Sequence, residues 1–163
     1  MSDFKINTSR KLTISAMVMA LYVVIMCCTQ SFAFGAVQVR IATALYSLSY
    51  IFPFLVLPLG LANLVSNILG GMGLPDMLGG CGVGILTSFC VYMIKRLKLP
   101  FWLVVVPIVA GPGFIVPIWL TFFTGVPYGV LAVNLCLGQL APALLGAAII
   151  KVLEARKDIV IGG

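Results

Sequence analysis

The stretch "VYMIKRLKLP", residues 91–100, decides the fold, because its three cations interrupt the middle of a very apolar chain. Lys95, Arg96 and Lys98 close one apolar run; Lys5, Arg10 and Lys11 lie near the start of the chain, and Lys151, Arg156 and Lys157 near its end. Cations that flank apolar segments mark the cytoplasmic side of a membrane. If all three clusters share that side, an even number of spans must separate each pair. Lys11 and Lys95 are separated by 83 residues, room for four tightly connected spans or two with a long connection, and Lys98 and Lys151 by 52, room for two, at roughly 20 residues per span. Six spans fit best. The expected fold is an all-α integral membrane protein, one domain over residues 1–163 forming a compact bundle of six transmembrane helices with both termini cytoplasmic.

Composition agrees with that class. Of the 163 residues, 62% are apolar and 9% charged, and the mean hydropathy of +1.21 describes a chain that lipid solvates better than water. The net charge of +6 follows from the three clusters rather than from a nucleic-acid-binding face. The spans are expected at about 12–31, 38–52, 56–70, 76–94, 100–123 and 128–152, the second of them short. "FPFLVLP" (52–58) turns the chain inside, and "GGMGLPD" (70–76) and "TGVPYG" (124–129) turn it outside, each with Gly or Pro as breaker. The first span follows a basic start as a secretory leader does, but its length and the spans that follow at once favour a retained helix.

Enzymatic chemistry finds little to work with. There is no histidine, the five cysteines have no C-x-x-C spacing, and three of the four acidic residues, Asp3, Glu154 and Asp158, lie in the terminal segments. Neither a metal site nor a nucleophile with its base is expected, so no cofactor is expected and the protein is expected not to be an enzyme.

The polar residues inside the spans are few enough to weigh one by one. Arg40 stands alone in "FGAVQVRIATALYSL" (34–48), near the outer end of the second span. It either snorkels to the headgroups or faces a cavity or partner, and Asp76, the one acidic residue between the terminal segments, is its natural intramolecular partner. Asn63 and Asn67 are four apart and share a helix face; they join helices as polar glue or contact a ligand, with Asn67 nearer the outside. Asn134 and Gln139 lie below the outer turn of the last span, and amides can read the donors and acceptors of a planar heterocycle. Tyr46, Trp119 and Tyr128 are placed either to stack on such a ring or to anchor at the interface. "AGPGFIVP" (110–117) interrupts the fifth span, as a cavity-lining break or a plain kink. In the first helix Ala16 and Ala20 form a small-xxx-small pair that lets another helix approach closely.

The stretches "FGAVQVRIATAL", "LANLVSNILGGMGLPDMLGG" and "GVPYGVLAVNLCLGQLAPALLG" resemble the QueT family, substrate-binding S components of energy-coupling factor (ECF) transporters, over roughly residues 12–153. The resemblance implies a six-helix membrane protein of the bacterial plasma membrane that captures a queuosine precursor, a 7-deazaguanine base, at the outer face. It also implies a transmembrane coupling subunit docked on the Ala16 and Ala20 face and two cytoplasmic ATPases as partners; the chain itself has no phosphate-binding loop. The substrate-binding residues expected on this reading are Arg40, Thr43, Tyr46, Asn67, Asp76, Trp119, Asn134 and Gln139. Two of them depart from the family pattern: where "SEAL" is expected the chain reads "ATAL", which puts Thr43 in place of a glutamate, and a "GE" pair becomes Gly138 and Gln139. Loss of two carboxylates implies a neutral or bulkier deazapurine, such as the nitrile precursor or queuine, rather than the small cationic amine. Three other readings stay open: an S component for another vitamin or nucleobase, a stand-alone secondary carrier, and a structural or regulatory membrane protein in which Arg40 and Asp76 only pair. Against the carrier stand the lack of intramembrane carboxylates for proton coupling and of an evident internal repeat.

Overall fold

The computed structural model describes residues 7–33, 38–71 and 73–156. Lys5, Lys157, Asp3 and Asp158 lie outside them, as do residues 34–37.

The described chain is helical throughout. α1 runs Thr8–Cys28 with no Gly or Pro to weaken it, and stops where the Thr29 hydroxyl and N–H both donate to the Ile25 carbonyl, at 2.6 and 2.9 Å. A single turn, α2 (Gln30–Ala33), follows. After a 3-10 helix at Ile41–Tyr50 and a 3-10 turn at Pro53–Leu55, α3 spans Val56–Gly70 and α4 spans Leu74–Arg96. A third 3-10 turn, Phe101–Val104, leads into α5 (Val105–Ile115) and α6 (Pro117–Thr124), and α7 closes the chain at Tyr128–Ala155. Gly71 and Gly125, at φ of 70° and 69°, end α3 and α6 in the left-handed conformation that glycine adopts without a Cβ clash.

Five of these segments are long and apolar enough to cross a membrane: Thr8–Cys28, Pro53–Gly70, Leu74–Arg96, Phe101–Thr124 and Tyr128–Ala155. Their outward faces carry Leu12, Met17, Leu61, Phe89, Phe122 and Leu144, all well exposed, as a lipid-facing surface requires. The fourth of these spans is interrupted at the α5–α6 join, where Pro117 has no N–H for the Gly113 carbonyl one turn back.

The segment expected as a spanning helix at 38–52 differs from the rest: it is a ten-residue 3-10 helix, Ile41–Tyr50. Eight of its residues are buried, and it packs against α1, α3, α4, α5 and α7. Three residues per turn stack side chains at i and i+3 directly above one another; Ala42, Ala44, Ser47 and Ser49 keep that stacking tolerable. The tighter winding rises about 2.0 Å per residue instead of about 1.5 Å, so ten residues reach roughly 20 Å.

Small residues bring the helices together. A Cβ on Gly84 of α4 would lie 3.1 Å from the Gly60 Cα of α3, and one on Gly146 of α7 would lie 3.1 Å from the Ala44 carbonyl oxygen. Lipid tails are as apolar as Leu, so close packing and hydrogen bonds hold such a bundle rather than hydrophobic burial.

The basic clusters gather at one end of the bundle. Lys11 of α1 lies over the Phe54 ring at 6.0 Å and Lys95 of α4 over the Tyr50 ring at 5.0 Å. Glu154, near the end of α7, is close enough to Tyr50 to act on it electrostatically.

Candidate functional site

At the other end, the polar residues of four different segments form one buried cluster. Arg40 precedes the central 3-10 helix and is 4% exposed; its Nη1 donates to the Asn67 Oδ1 at 3.3 Å. The Asn67 Nδ2 in turn donates to the backbone carbonyl of Asp76 at 2.8 Å, so one amide on α3 ties the arginine to the first turn of α4. The Asp76 Oδ1 accepts the indole N–H of Trp119, from α6, at 3.1 Å. Gly79 makes room for that indole: a Cβ there would lie 2.8 Å from two of its ring carbons. Asp76 also profits from the partial positive charge at the start of α4.

Below this lies a second layer. The Asn63 Nδ2 donates to the Tyr46 hydroxyl and to the Gly80 carbonyl, each at 2.8 Å. Tyr46 shares a hydrogen bond of 3.1 Å with the Tyr22 hydroxyl of α1, and the two rings stack with centroids 5.8 Å apart. Thr43 joins the last helix, its Oγ lying 2.7 Å from the Gln139 Oε1 and 2.7 Å from the Arg40 carbonyl. A hydroxyl has one hydrogen, so both contacts are satisfied when the Gln139 amide is turned to donate its N–H to Thr43.

Several buried acceptors in the cluster have no donor among the described residues: the Asp76 Oδ2, the Asn63 Oδ1 and the Gln38 Oε1. Gln38 did not stand out in the sequence, although it lies in the same "QVRI" stretch as Arg40. It is 4% exposed and holds a φ of 46°, a strained conformation for a side chain other than Gly, and such strain gathers at functional sites. No sequence signal separates it from any other loop glutamine.

Of the expected substrate residues, Arg40, Thr43, Tyr46, Asn67, Asp76, Trp119 and Gln139 are thus linked by hydrogen bonds within this cluster. Tyr46 and Asn67 are both 0% exposed. Asn134, half-buried on α7, makes no described hydrogen bond to the cluster. Tyr128 is exposed and donates to the Phe114 carbonyl at 2.9 Å, the position of an interface anchor. Ala16 and Ala20 lie on the exposed side of α1 with Met17 and Val24. Among the described residues no three His, Cys, Asp or Glu side chains group as metal ligands do, and the cluster carries no nucleophile beside a base. Its chemistry is that of hydrogen-bonded recognition within an apolar bundle.

The model of one family, the QueT transporter, matches residues 12–155. The chain belongs to the QueT transporter family. The match runs from the first turns of α1 to the last residue of α7 and includes every residue of the QueT chain's polar cluster. Membership gives a transport role rather than catalysis, in a multi-pass membrane protein. No curated protein and no solved structure matches this QueT chain.

Proposed function

We propose that the chain is the S component of an ECF-type importer and captures a queuosine precursor, a 7-deazaguanine base, at the outer face of the bacterial plasma membrane. The family match over residues 12–155 carries the reading. Six spans with both termini inside follow if the basic end faces the cytoplasm and the Ile41–Tyr50 helix counts as the second crossing. The buried cluster then lies toward the outer leaflet; residues 34–37 lie outside the described residues.

In this reading Arg40, Asn67, Asp76 and Trp119 form the polar wall of the ligand site, Tyr46 its floor, and Thr43, Asn134 and Gln139 its α7 side. Thr43 and Gln139 are neutral and hydrogen-bonded to each other. A charged aminomethyl group finds no counter-charge in such a pair, which supports a preference for the neutral nitrile precursor or the bulkier queuine. The exposed Ala16 and Ala20 face of α1 serves as the docking surface for a transmembrane coupling subunit, and two cytoplasmic ATPases supply the energy for uptake.

The test is equilibrium binding of the detergent-purified chain to the aminomethyl and nitrile deazaguanines, queuine, guanine, riboflavin and biotin. Saturable binding confined to deazaguanines is expected, with the amine weakest. A preference for riboflavin or biotin would leave the family and remove the substrate; amine binding at least tenfold tighter than the others would remove the neutral preference alone.

A further inference from the structure

We propose that Asp76 is the residue that selects the ligand, and that it does so by accepting the paired N–H donors of an amidine-like ring edge, the ring N–H and adjacent amino group of a guanine-type base. The inference rests on the ligand reading above and adds which edge is read and by what.

The Asp76 carboxylate has acceptor capacity to spare. Asp76 is 1% exposed and one of its two carboxylate oxygens has no partner, while the other accepts a single N–H from Trp119. A carboxylate oxygen accepts two hydrogen bonds, so Oδ2 is open and Oδ1 keeps a lone pair. Two parallel N–H groups about as far apart as the two carboxylate oxygens fit that vacancy, as in bidentate guanidinium pairs. The Asn63 Oδ1 and Gln38 Oε1, also buried, are acceptors without donors as well. The Asn63 amide cannot be reversed to change this, because its nitrogen already serves the Tyr46 hydroxyl and the Gly80 carbonyl. Asp76 has no such ambiguity at all.

The carboxylate is held for this task. Trp119 fixes Oδ1, the Asn67 amide fixes the Asp76 backbone, and the α4 N-terminus favours the anion. Leaving a buried anionic oxygen unpaired is costly, and a ligand edge that offers N–H groups to it removes the cost, whereas an edge that offers it only acceptors does not. Selection therefore runs against hypoxanthine-type bases, which lack the amino group, and against bases alkylated at the ring nitrogen.

The experiment is calorimetric binding of the purified full chain to 7-deazaguanine, to 7-deazahypoxanthine and to the deazaguanine methylated at its ring N–H. The wild-type chain should bind 7-deazaguanine at least about tenfold more tightly than either analogue, since hydrogen bonds to a charged group are the strong ones. In Asp76→Asn the preference should collapse, and in Trp119→Phe, which leaves Oδ2 untouched, it should persist. The wild-type comparison stands even if Asp76→Asn fails to fold. Equal binding of all three bases, or a folded Asp76→Asn that keeps the preference, overturns the role of Asp76 and leaves the deazaguanine reading intact. Failure to bind any deazapurine overturns both.

Discussion

Gly80→Ala is the most informative single change in the protein. In the middle of a helix this substitution normally gains about 0.5–1 kcal/mol. Here a Cβ at position 80 would land on the Asn67 amide nitrogen. That amide is not free to swing away without loss, because it bonds Arg40 on one side and the Asp76 carbonyl on the other. Displacing it sacrifices both bonds, and hydrogen bonds between membrane helices are worth about 0.6 kcal/mol on average and up to about 1.7. Two such bonds total ~1–3 kcal/mol, and the helix gain offsets part of that, so the expected net cost is roughly 0.2–3 kcal/mol. Asn67→Ala loses the same two bonds and should cost a similar amount. The double variant decides the matter: with the amide gone, the Cβ at 80 has room, so on the Asn67→Ala background Gly80→Ala should show the ordinary helix gain of about 0.5–1 kcal/mol. Reversible unfolding of the four proteins in mixed micelles gives the coupling energy directly. Additive effects, or a Gly80→Ala protein stabilised by the full helix gain, would refute the packing of Asn67 between Arg40 and Asp76.

Gly79→Ala should push the Trp119 indole off α4, since a Cβ would lie 2.8 Å from its ring carbons; loss of its hydrogen bond to Asp76 should shift the tryptophan emission and weaken ligand binding about tenfold. Gln139→Glu places a carboxylate beside Thr43, 2.7 Å away in the wild-type pair, and should turn the ligand preference toward the aminomethyl base in the same calorimetric assay. Cys27 and Cys28 are exposed in the last turn of α1, so a membrane-impermeant maleimide applied to intact cells should label them; labelling only after permeabilisation would invert the proposed orientation.

The long helices were legible because lipid demands long apolar runs, and the breakers Gly71, Pro75, Pro100, Gly125 and Pro127 punctuate them. The gathering of cations at one end was legible from charge spacing and is seen in Lys11 over Phe54 and Lys95 over Tyr50. The winding of Ile41–Tyr50 was not, since a short apolar segment with small residues reads equally as the start of an α-helix, and only its five neighbours fix its length and pitch. Much of the polar cluster was legible for one reason: a polar side chain among apolar spans must find a partner, so Arg40, Asn67 and Asp76 had few choices. The partner itself was harder to see. Asp76 was expected to face Arg40 directly, whereas Asn67 bridges the arginine to its backbone carbonyl and Trp119 takes the carboxylate. Gln38 escaped notice because backbone strain leaves no trace in composition.

The burial of eight of the ten residues of Ile41–Tyr50 among five helices has a mechanical meaning. Helices that touch lipid tilt as the bilayer thickens or thins, and the outer five must follow. The inner one has proteins, not lipids, for a solvent, so hydrophobic mismatch reaches it only after its neighbours have absorbed part of the strain. Thr43 belongs to this strut and Arg40 caps its start. The same recognition geometry should therefore persist from thin membranes to thick ones, and lipid composition should alter how fast the molecule moves in the bilayer more than how tightly it holds its cargo.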